Sequence, residues 1–122
     1  LPVAGGSTEG EGAQGEGGEI TKEEDTKLPL KYELSYNYPN PFNPVTTLRY
    51  DVPSPGSVVS IVIYNIKGQA VKRLMNQYKA PGFHSIAWNG KDDRGESVAS
   101  GIYFVQMKAE GFRQTRKLVL LK

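Results

Sequence analysis

The sequence predicts an all-β fold, an antiparallel β-sandwich of about seven strands with an extended N-terminal tail. Three observations lead to this prediction. Apolar and polar residues alternate in several short segments, as they do in half-buried strands. Clusters of Gly, Pro, Asn and Asp separate those segments at the spacing typical of sandwiches. No helical periodicity persists anywhere along the chain.

Length and composition exclude several classes of function. The chain has 122 residues, enough for one domain. It starts at Leu1 without Met, which fits a processed N-terminus or an excised fragment. No apolar run approaches the ~18 residues of a membrane-spanning helix. The absence of Cys excludes thiol nucleophiles, disulfides and zinc–thiolate sites within the chain, and the single His84 excludes a multi-histidine metal site.

Residues 1–33 are predicted to form a flexible acidic tail. Residues 5–19 are rich in Gly and Glu and cannot bury enough apolar surface to offset the entropy of ordering. Residues 1–30 carry seven acids against two lysines, a net charge of −5, whereas residues 31–122 carry thirteen bases against six acids, a net charge of +7. The two parts are expected to attract one another, within a chain or between chains. The basic excess is too mild and scattered to indicate nucleic-acid binding.

The body of the domain, residues 34–122, is predicted to begin at the end of a strand and to continue into a rigid proline-rich segment. The strand is indicated by four apolar residues at a period of two: Leu28, Leu30, Tyr32 and Leu34. Pro29 places this strand at a sheet edge. The segment Tyr38–Pro44 (YPNPFNP) contains three prolines, which fix φ and favour extended geometry. We expect this segment to clamp Phe42 onto the core.

Six further strands are predicted, separated by turns. They are Val45–Val52, Val58–Asn65, Gln69–Met75, Phe83–Asn89, Gly101–Ala109 and Phe112–Leu121. The strand Val58–Asn65 is apolar on nearly both faces, which predicts a central position. Alternation along the other strands assigns three sets of side chains to the core: Leu48, Tyr50 and Val52; His84, Ile86 and Trp88; and Tyr103, Val105 and Met107.

No group of residues predicts catalysis. A nucleophile–base pair would need His84, but strand alternation aims its ring at the core, where a hydrogen bond to the backbone is expected. No glycine-rich loop leads into a helix, so the sequence offers no phosphate cradle. We therefore predict that the chain is not an enzyme and that it carries no cofactor.

Two weaker candidates for binding sites remain. The first is a calcium site built from four loop residues: Asn89, Asp92, Asp93 and Glu96. Their spacing does not match an EF-hand loop, and such residues more often cap turns with their own side chains. The second is an aromatic platform for carbohydrate, but the candidate rings are predicted to lie in the core: Tyr64, Trp88 and Tyr103.

A succession of motifs resembles a known family. In chain order the motifs are Tyr38–Pro44, Ile63–Asn65 with Gly68 and Gln69, Gly82-x-His84-x-x-x-Trp88-Asn89-Gly90, Ser100-Gly101-x-Tyr103-Phe104 and Lys117–Lys122. This succession, which covers residues 34–122, resembles the type A C-terminal sorting domain of the type IX secretion system. It also resembles the related immunoglobulin-like domain of flagellar hook-capping proteins. The resemblance implies an immunoglobulin-like sandwich.

The resemblance also implies roles for particular residues. Ten motif residues are expected to be structural: Pro39, Asn40, Pro41, Phe42, Asn43, Pro44, His84, Trp88, Gly101 and Tyr103. In the family the domain is an export address, and its final strand with the terminal basic residue carries much of the signal. In this chain those residues are Lys117, Leu118, Val119, Leu120, Leu121 and Lys122.

Three functions stay open on the sequence. The first is a structural subunit of an extracellular filament, in which the tail contacts identical subunits head to tail through Leu1, Val3, Leu28 and Leu30. The second is a sorting domain that directs type IX secretion and surface attachment of a cargo protein, with the secretion machinery as partner. The third is an accessory carbohydrate-binding module. All three place the protein outside the cell or on a bacterial cell surface.

Overall fold

The computed structural model describes residues 27–122, which contain seven β-strands and no helix. The strands are β1 (Glu33–Leu34), β2 (Thr46–Val52), β3 (Ser57–Tyr64), β4 (Ala70–Lys79), β5 (Gly82–Trp88), β6 (Gly101–Ala109) and β7 (Phe112–Leu120). The prediction of an all-β fold is confirmed. No helix long and apolar enough to cross a membrane occurs in this part of the chain. The predicted contacts of Leu1 and Val3 lie outside the described residues.

The strands form two antiparallel sheets. The three-stranded sheet has the order β1-β2-β5, and the four-stranded sheet has the order β4-β3-β6-β7. Strand β3 is central, as predicted, because it pairs with β4 on one side and β6 on the other. In a constant-type immunoglobulin domain the fourth strand lies beside the fifth. Here β4 lies beside β3 instead, so the four-stranded sheet contains β4 and the last two strands.

The core lies between the two sheets and is filled by alternate residues of each strand. Because successive side chains of a strand point to opposite faces, every second residue is buried. Strands β2 and β6 bury the side chains that the alternation predicted: Leu48, Tyr50, Val52, Tyr103, Val105 and Met107. Strand β3 adds three more: Val59, Ile61 and Ile63.

Trp88, at the end of β5, occupies the centre of an aromatic cluster. Its side chain is 0% exposed, and its ring centroid lies 5.6 Å from that of Phe42 and 5.5 Å from that of Tyr103. The indole Nε1–H donates a hydrogen bond of 2.9 Å to the carbonyl oxygen of Lys91. The one polar atom of this large side chain is therefore satisfied without exposing the ring.

The first predicted strand is much shorter than the apolar alternation indicated. Only Glu33 and Leu34 pair with β2, opposite Asp51 and Tyr50. Leu28 and Leu30 are 47% and 93% exposed, so their expected place on a buried face is wrong. Alternation predicts a buried face only where a partner strand and an opposing sheet exist, and the described chain before Glu33 has neither.

Two other elements differ from the sequence prediction. Strand β4 continues to Lys79, past the predicted end at Met75, because it pairs along the whole of β3. Tyr64 was expected in the core, but it lies half-exposed on the outer face beside Phe104. The hydrogen-bond ladder between β3 and β4 is interrupted by two register shifts, as happens at β-bulges.

The aromatic cluster gives the first prediction. The Trp88→Ala variant should lower the free energy of unfolding by about 3–5 kcal/mol, because it removes a fully buried ring and leaves a cavity. Urea denaturation followed by circular dichroism measures this loss. The matched control is Phe83→Ala, which removes a 58% exposed ring from the same strand and should change stability by no more than about 0.5 kcal/mol. Equal losses in the two variants would contradict the central position of Trp88.

Candidate functional site

The last strand, β7, forms one edge of the four-stranded sheet. Its inward residues Leu118 and Leu120 are 0% exposed and belong to the core. Lys117 and Leu121 lie on the opposite face and are exposed, and Val119 between them is half-exposed. The strand implied to carry the export signal is thus divided by its pleat into a core side and a surface side.

The proline-rich segment is hydrogen-bonded to the outer edge of β7. The N–H of Phe42 donates to the carbonyl oxygen of Val119 at 2.9 Å, and the N–H of Leu121 donates to the carbonyl oxygen of Phe42 at 3.0 Å. The N–H of Val119 donates to Asn40 Oδ1 at 3.0 Å. We call this set of three hydrogen bonds the proline clamp. The clamp satisfies backbone groups that an edge strand would otherwise leave unpaired.

Phe42 anchors the clamp in the core, as the sequence predicted. Its side chain is 2% exposed and packs against Trp88, while Asn40 and the prolines on either side of Phe42 remain exposed. A proline fixes φ and favours an extended conformation in the residue before it. The prolines therefore restrict the segment before it meets β7, and less chain entropy is lost in holding the clamp.

The middle of β7 is joined to the other sheet by side chains. The N–H of Leu34 donates to Gln114 Oε1 at 2.9 Å, and Arg116 Nε donates to the carbonyl oxygen of Leu34 at 2.9 Å. The Arg116 guanidinium also lies 4.1 Å from the centroid of the Tyr36 ring, within the range of a cation–π contact. These contacts link the two sheets along the edge formed by β1 and β7. Nothing in the local sequence around Arg116 indicated that this side chain would join the sheets.

Tyr103 has a second role that the sequence analysis missed. Its side chain lies near the start of β6 and donates a hydrogen bond of 2.7 Å from its hydroxyl to the carbonyl oxygen of Ala99. A tyrosine that bonds back to the preceding corner in this way is a hallmark of immunoglobulin-like sandwiches. Burial raises the pKa of the Tyr103 hydroxyl. Gly101, two residues earlier, has a φ of 153°, which favours glycine.

His84 lies on the inward side of β5, as strand alternation predicted, but it is half-buried and lies outside the core. Its ring stacks on that of Tyr50 with the centroids 5.2 Å apart, and Nε2 donates to the carbonyl oxygen of Ala80 at 2.8 Å. The expected hydrogen bond to the backbone is therefore present. Ser85 is the next residue along β5 and points to the other face, so the described residues offer no serine–histidine pair there.

The loop between β5 and β6 uses its acidic residues to hold its own conformation. Asp92 Oδ1 accepts hydrogen bonds of 2.9 Å from the N–H groups of both Arg94 and Glu96. The Glu96 backbone N–H in particular holds the pKa of the Asp92 carboxyl below its ordinary value of 3.8. Asp93 caps the edge of β4 through the N–H of Arg73 at 3.0 Å. No cluster of three or more acidic or histidine side chains suited to a metal ion occurs among residues 27–122.

The aromatic residues weighed for carbohydrate binding do not form a common surface. Trp88 and Tyr103 are buried at 0% and 7% exposure, as predicted. Tyr64 lies apart from them on the outer face of the four-stranded sheet. A stacking platform needs several exposed ring faces in one plane. These three residues therefore do not supply such a platform.

The fold and these contacts define the class of protein: a structural β-sandwich module of the immunoglobulin type. The chain belongs to the FlgD Ig-like domain family, whose model matches residues 43–111. This match confirms the resemblance that the ordered motifs indicated. No curated protein sequence matches the chain.

Two solved structures, those of PorU and PorZ, share the fold. Dimeric latent PorU from Porphyromonas gingivalis is 17% identical with a TM-score of 0.61, over 76% of this chain and 10% of that one. PorZ from the same organism, an essential bacterial surface component of the type IX secretion system, is 22% identical with a TM-score of 0.50, over 71% and 11%. FlgD from P. aeruginosa is 26% identical with a TM-score of 0.46, over 62% and 60%. The chain therefore spans only about a tenth of the PorU and PorZ chains.

The proline clamp gives the second prediction. The Asn40→Ala variant removes the acceptor of the Val119 N–H, so the amide hydrogen of Val119 should exchange about fivefold faster, as expected for ~1 kcal/mol of lost hydrogen bonding. Hydrogen exchange measured by NMR reports this amide directly. The matched control is Asn43→Ala in the same segment, because the exposed Asn43 side chain takes no part in the three hydrogen bonds of the clamp. Equal exchange in the two variants would argue against the clamp.

Proposed function

We propose that the chain is a non-catalytic module that directs export of a secreted protein through a type IX-like system and holds that protein at the bacterial surface. The observation that carries the proposal is the arrangement of β7. Lys117 and Leu121 are exposed, while the strand that bears them is fixed by the core and by the proline clamp. The proposed recognition residues are those of the final motif, Lys117–Lys122.

A fixed strand suits recognition by a protein partner. β7 is already extended and hydrogen-bonded along β6. Its backbone therefore loses little additional conformational entropy when a partner protein binds it. The outward side chains Lys117 and Leu121 offer one cation and one aliphatic group. Lys122 adds a second exposed cation, and its N–H donates to Ser100 Oγ at 3.0 Å, which holds the end of the chain beside β6. The partner expected from this chemistry is an acidic surface with an apolar depression.

The division of the chain supports the same proposal. We assign residues 1–33 to a linker or tail and residues 34–122 to the recognition module. Packing within the module reaches slightly further back, since the Tyr32 ring stacks on Phe112 with the centroids 5.5 Å apart and its hydroxyl donates to Ser57 Oγ at 2.9 Å. A cargo joined through the tail would therefore enter beside Phe112 at the start of β7, whereas Lys117–Lys122 lie toward the other end of that strand.

The third prediction tests the export role. The full chain, fused behind a reporter, should carry that reporter out of a host with a type IX system. The variant K117A/L121A/K122A should lower the exported fraction about tenfold, the effect of ~1.4 kcal/mol of lost recognition free energy. Fractionation and immunoblotting measure the exported fraction. The three side chains are exposed, so the thermal midpoint of the variant should stay close to that of the parent.

A matched control carries the same kinds of substitution elsewhere on the surface. The variant K31A/F83A/K91A also removes two exposed lysines and one exposed apolar side chain, none of them on β7. It should be exported like the parent. If K117A/L121A/K122A were exported as well as this control, the role of β7 in export would be refuted.

A second candidate function is a structural subunit of an extracellular filament. The exposure of Leu28 and Leu30, at 47% and 93%, favours it. Two exposed leucines next to the packed body offer apolar area to a neighbouring copy. A contact between the tail of one subunit and the body of the next would be head to tail, and such a contact extends into a fibre unless it closes into a ring.

The fourth prediction concerns this filament. The parent chain should show concentration-dependent oligomers in sedimentation velocity, and L28S/L30S should sediment as a monomer because it lacks the apolar contact. The control I66S/F83S removes two apolar side chains of 73% and 58% exposure and should keep the oligomers. A parent that stays monomeric at every concentration would eliminate the filament and leave the export role untouched.

A further inference from the structure

The outer face of the four-stranded sheet carries basic side chains without acidic partners. On β6 and β7 the outward charged residues are Lys108, Arg113 and Lys117, and no outward position of these two strands holds an acid. Lys108 and Arg113 are direct cross-strand neighbours, and Lys117 follows four residues further along β7. We call these three residues the basic row.

The basic row is costly for the sheet unless an anion covers it. Like charges directly opposite each other on neighbouring strands destabilise the pair. The ion pairs recorded within residues 27–122 all involve the loop acids Asp92, Asp93 and Glu96. None of them involves the basic row. A ligand with several negative charges at short spacing would relieve this repulsion.

The described chain begins beside the basic row. Residues 30–33 border a depression of about 510 Å³ that is completed by the hairpin residues Glu110–Phe112. On the other side of that hairpin a second depression, of about 350 Å³, is lined by Lys108 and Arg113. The stacking of Tyr32 on Phe112 fixes the approach of the chain to this hairpin. The chain therefore enters the fold beside the hairpin that joins β6 and β7, the hairpin that also borders Lys108 and Arg113.

The sequence just before that point supplies the anion. Glu19, Glu23, Glu24 and Asp25 lie within seven residues, with Lys22 as the one base among them. An extended chain covers about 3.3 Å per residue, so this segment spans up to ~20 Å. The basic row from Arg113 to Lys117 extends over about 13 Å of strand. The length and the charge of the segment both match the row.

We propose that the acidic segment Glu19–Asp25 of the tail docks on the basic row of its own chain. Docking covers Lys117, which is exposed on the folded body. This inference concerns the tail and the sheet, and it stands whether or not β7 is an export signal.

The test uses paramagnetic relaxation enhancement on the full chain. The chain contains no cysteine, so Thr21→Cys accepts a single nitroxide label inside the acidic segment. The label should broaden the ¹⁵N-resolved amide signals of Lys108, Arg113 and Lys117 several-fold more than that of Ser85 on the other sheet. Since the Debye length falls from about 10 Å at 0.1 M salt to about 3 Å at 1 M, 1 M salt should abolish the selective broadening.

Charge substitutions separate docking from simple tethering. The variant K108Q/R113Q/K117Q should lose the selective broadening, whereas the control K31Q/K67Q/K91Q, which neutralises three exposed lysines elsewhere, should keep it. Broadening that survives both the first variant and 1 M salt would reflect tethering alone and would overturn the proposal.

A mixing experiment identifies the chain that supplies the tail. Nitroxide-labelled chains without ¹⁵N are mixed with ¹⁵N chains that carry no nitroxide. The expected result is no broadening at the basic row, because each row binds the tail of its own chain. Broadening in the mixture would show that a second copy supplies the acidic segment and would overturn docking within one chain.

Discussion

The packing of Trp88 is the contact on which the rest of the structure depends. Its ring touches Phe42 from the proline-rich segment and Tyr103 from β6, so a single side chain joins three separate parts of the chain. The hydrogen bond from its indole to Lys91 fixes the ring in one orientation. Because Phe42 is held by this ring, the backbone on either side of Phe42 lies across the edge of β7.

The packing of Phe42 on Trp88 also determines how the edge of β7 is covered. An edge strand with free N–H and C=O groups invites pairing with other chains. At its end β7 is capped by the proline clamp, and in its middle Gln114 and Arg116 bind the backbone of Leu34. The outer side chains remain free while the strand itself is fixed. A surface of this kind suits recognition through side chains, since the backbone edge is partly occupied.

Charge is arranged separately from packing. Half of the six acids of the body lie in the loop before β6, where Asp92 and Asp93 accept backbone hydrogen bonds and pair with nearby cations. The outer face of β6 and β7 is left with bases alone. The acidic excess of residues 1–30 is opposite in sign to this face, and the proposed docking of residues 19–25 rests on that difference.

The sequence by itself determined the strands and their buried faces wherever an apolar period of two was sustained, as along β2 and β6, because strand alternation is a local property. The sequence also determined that Phe42 would be anchored in the core, because the prolines around it fix φ and limit the conformations of the segment. Only the tertiary structure decided that Asn40 binds Val119, that Tyr64 lies outside the core and that Leu28 and Leu30 are exposed. Each of these depends on which strand lies beside which, and sheet order brings together residues too distant in sequence for any local pattern to relate them.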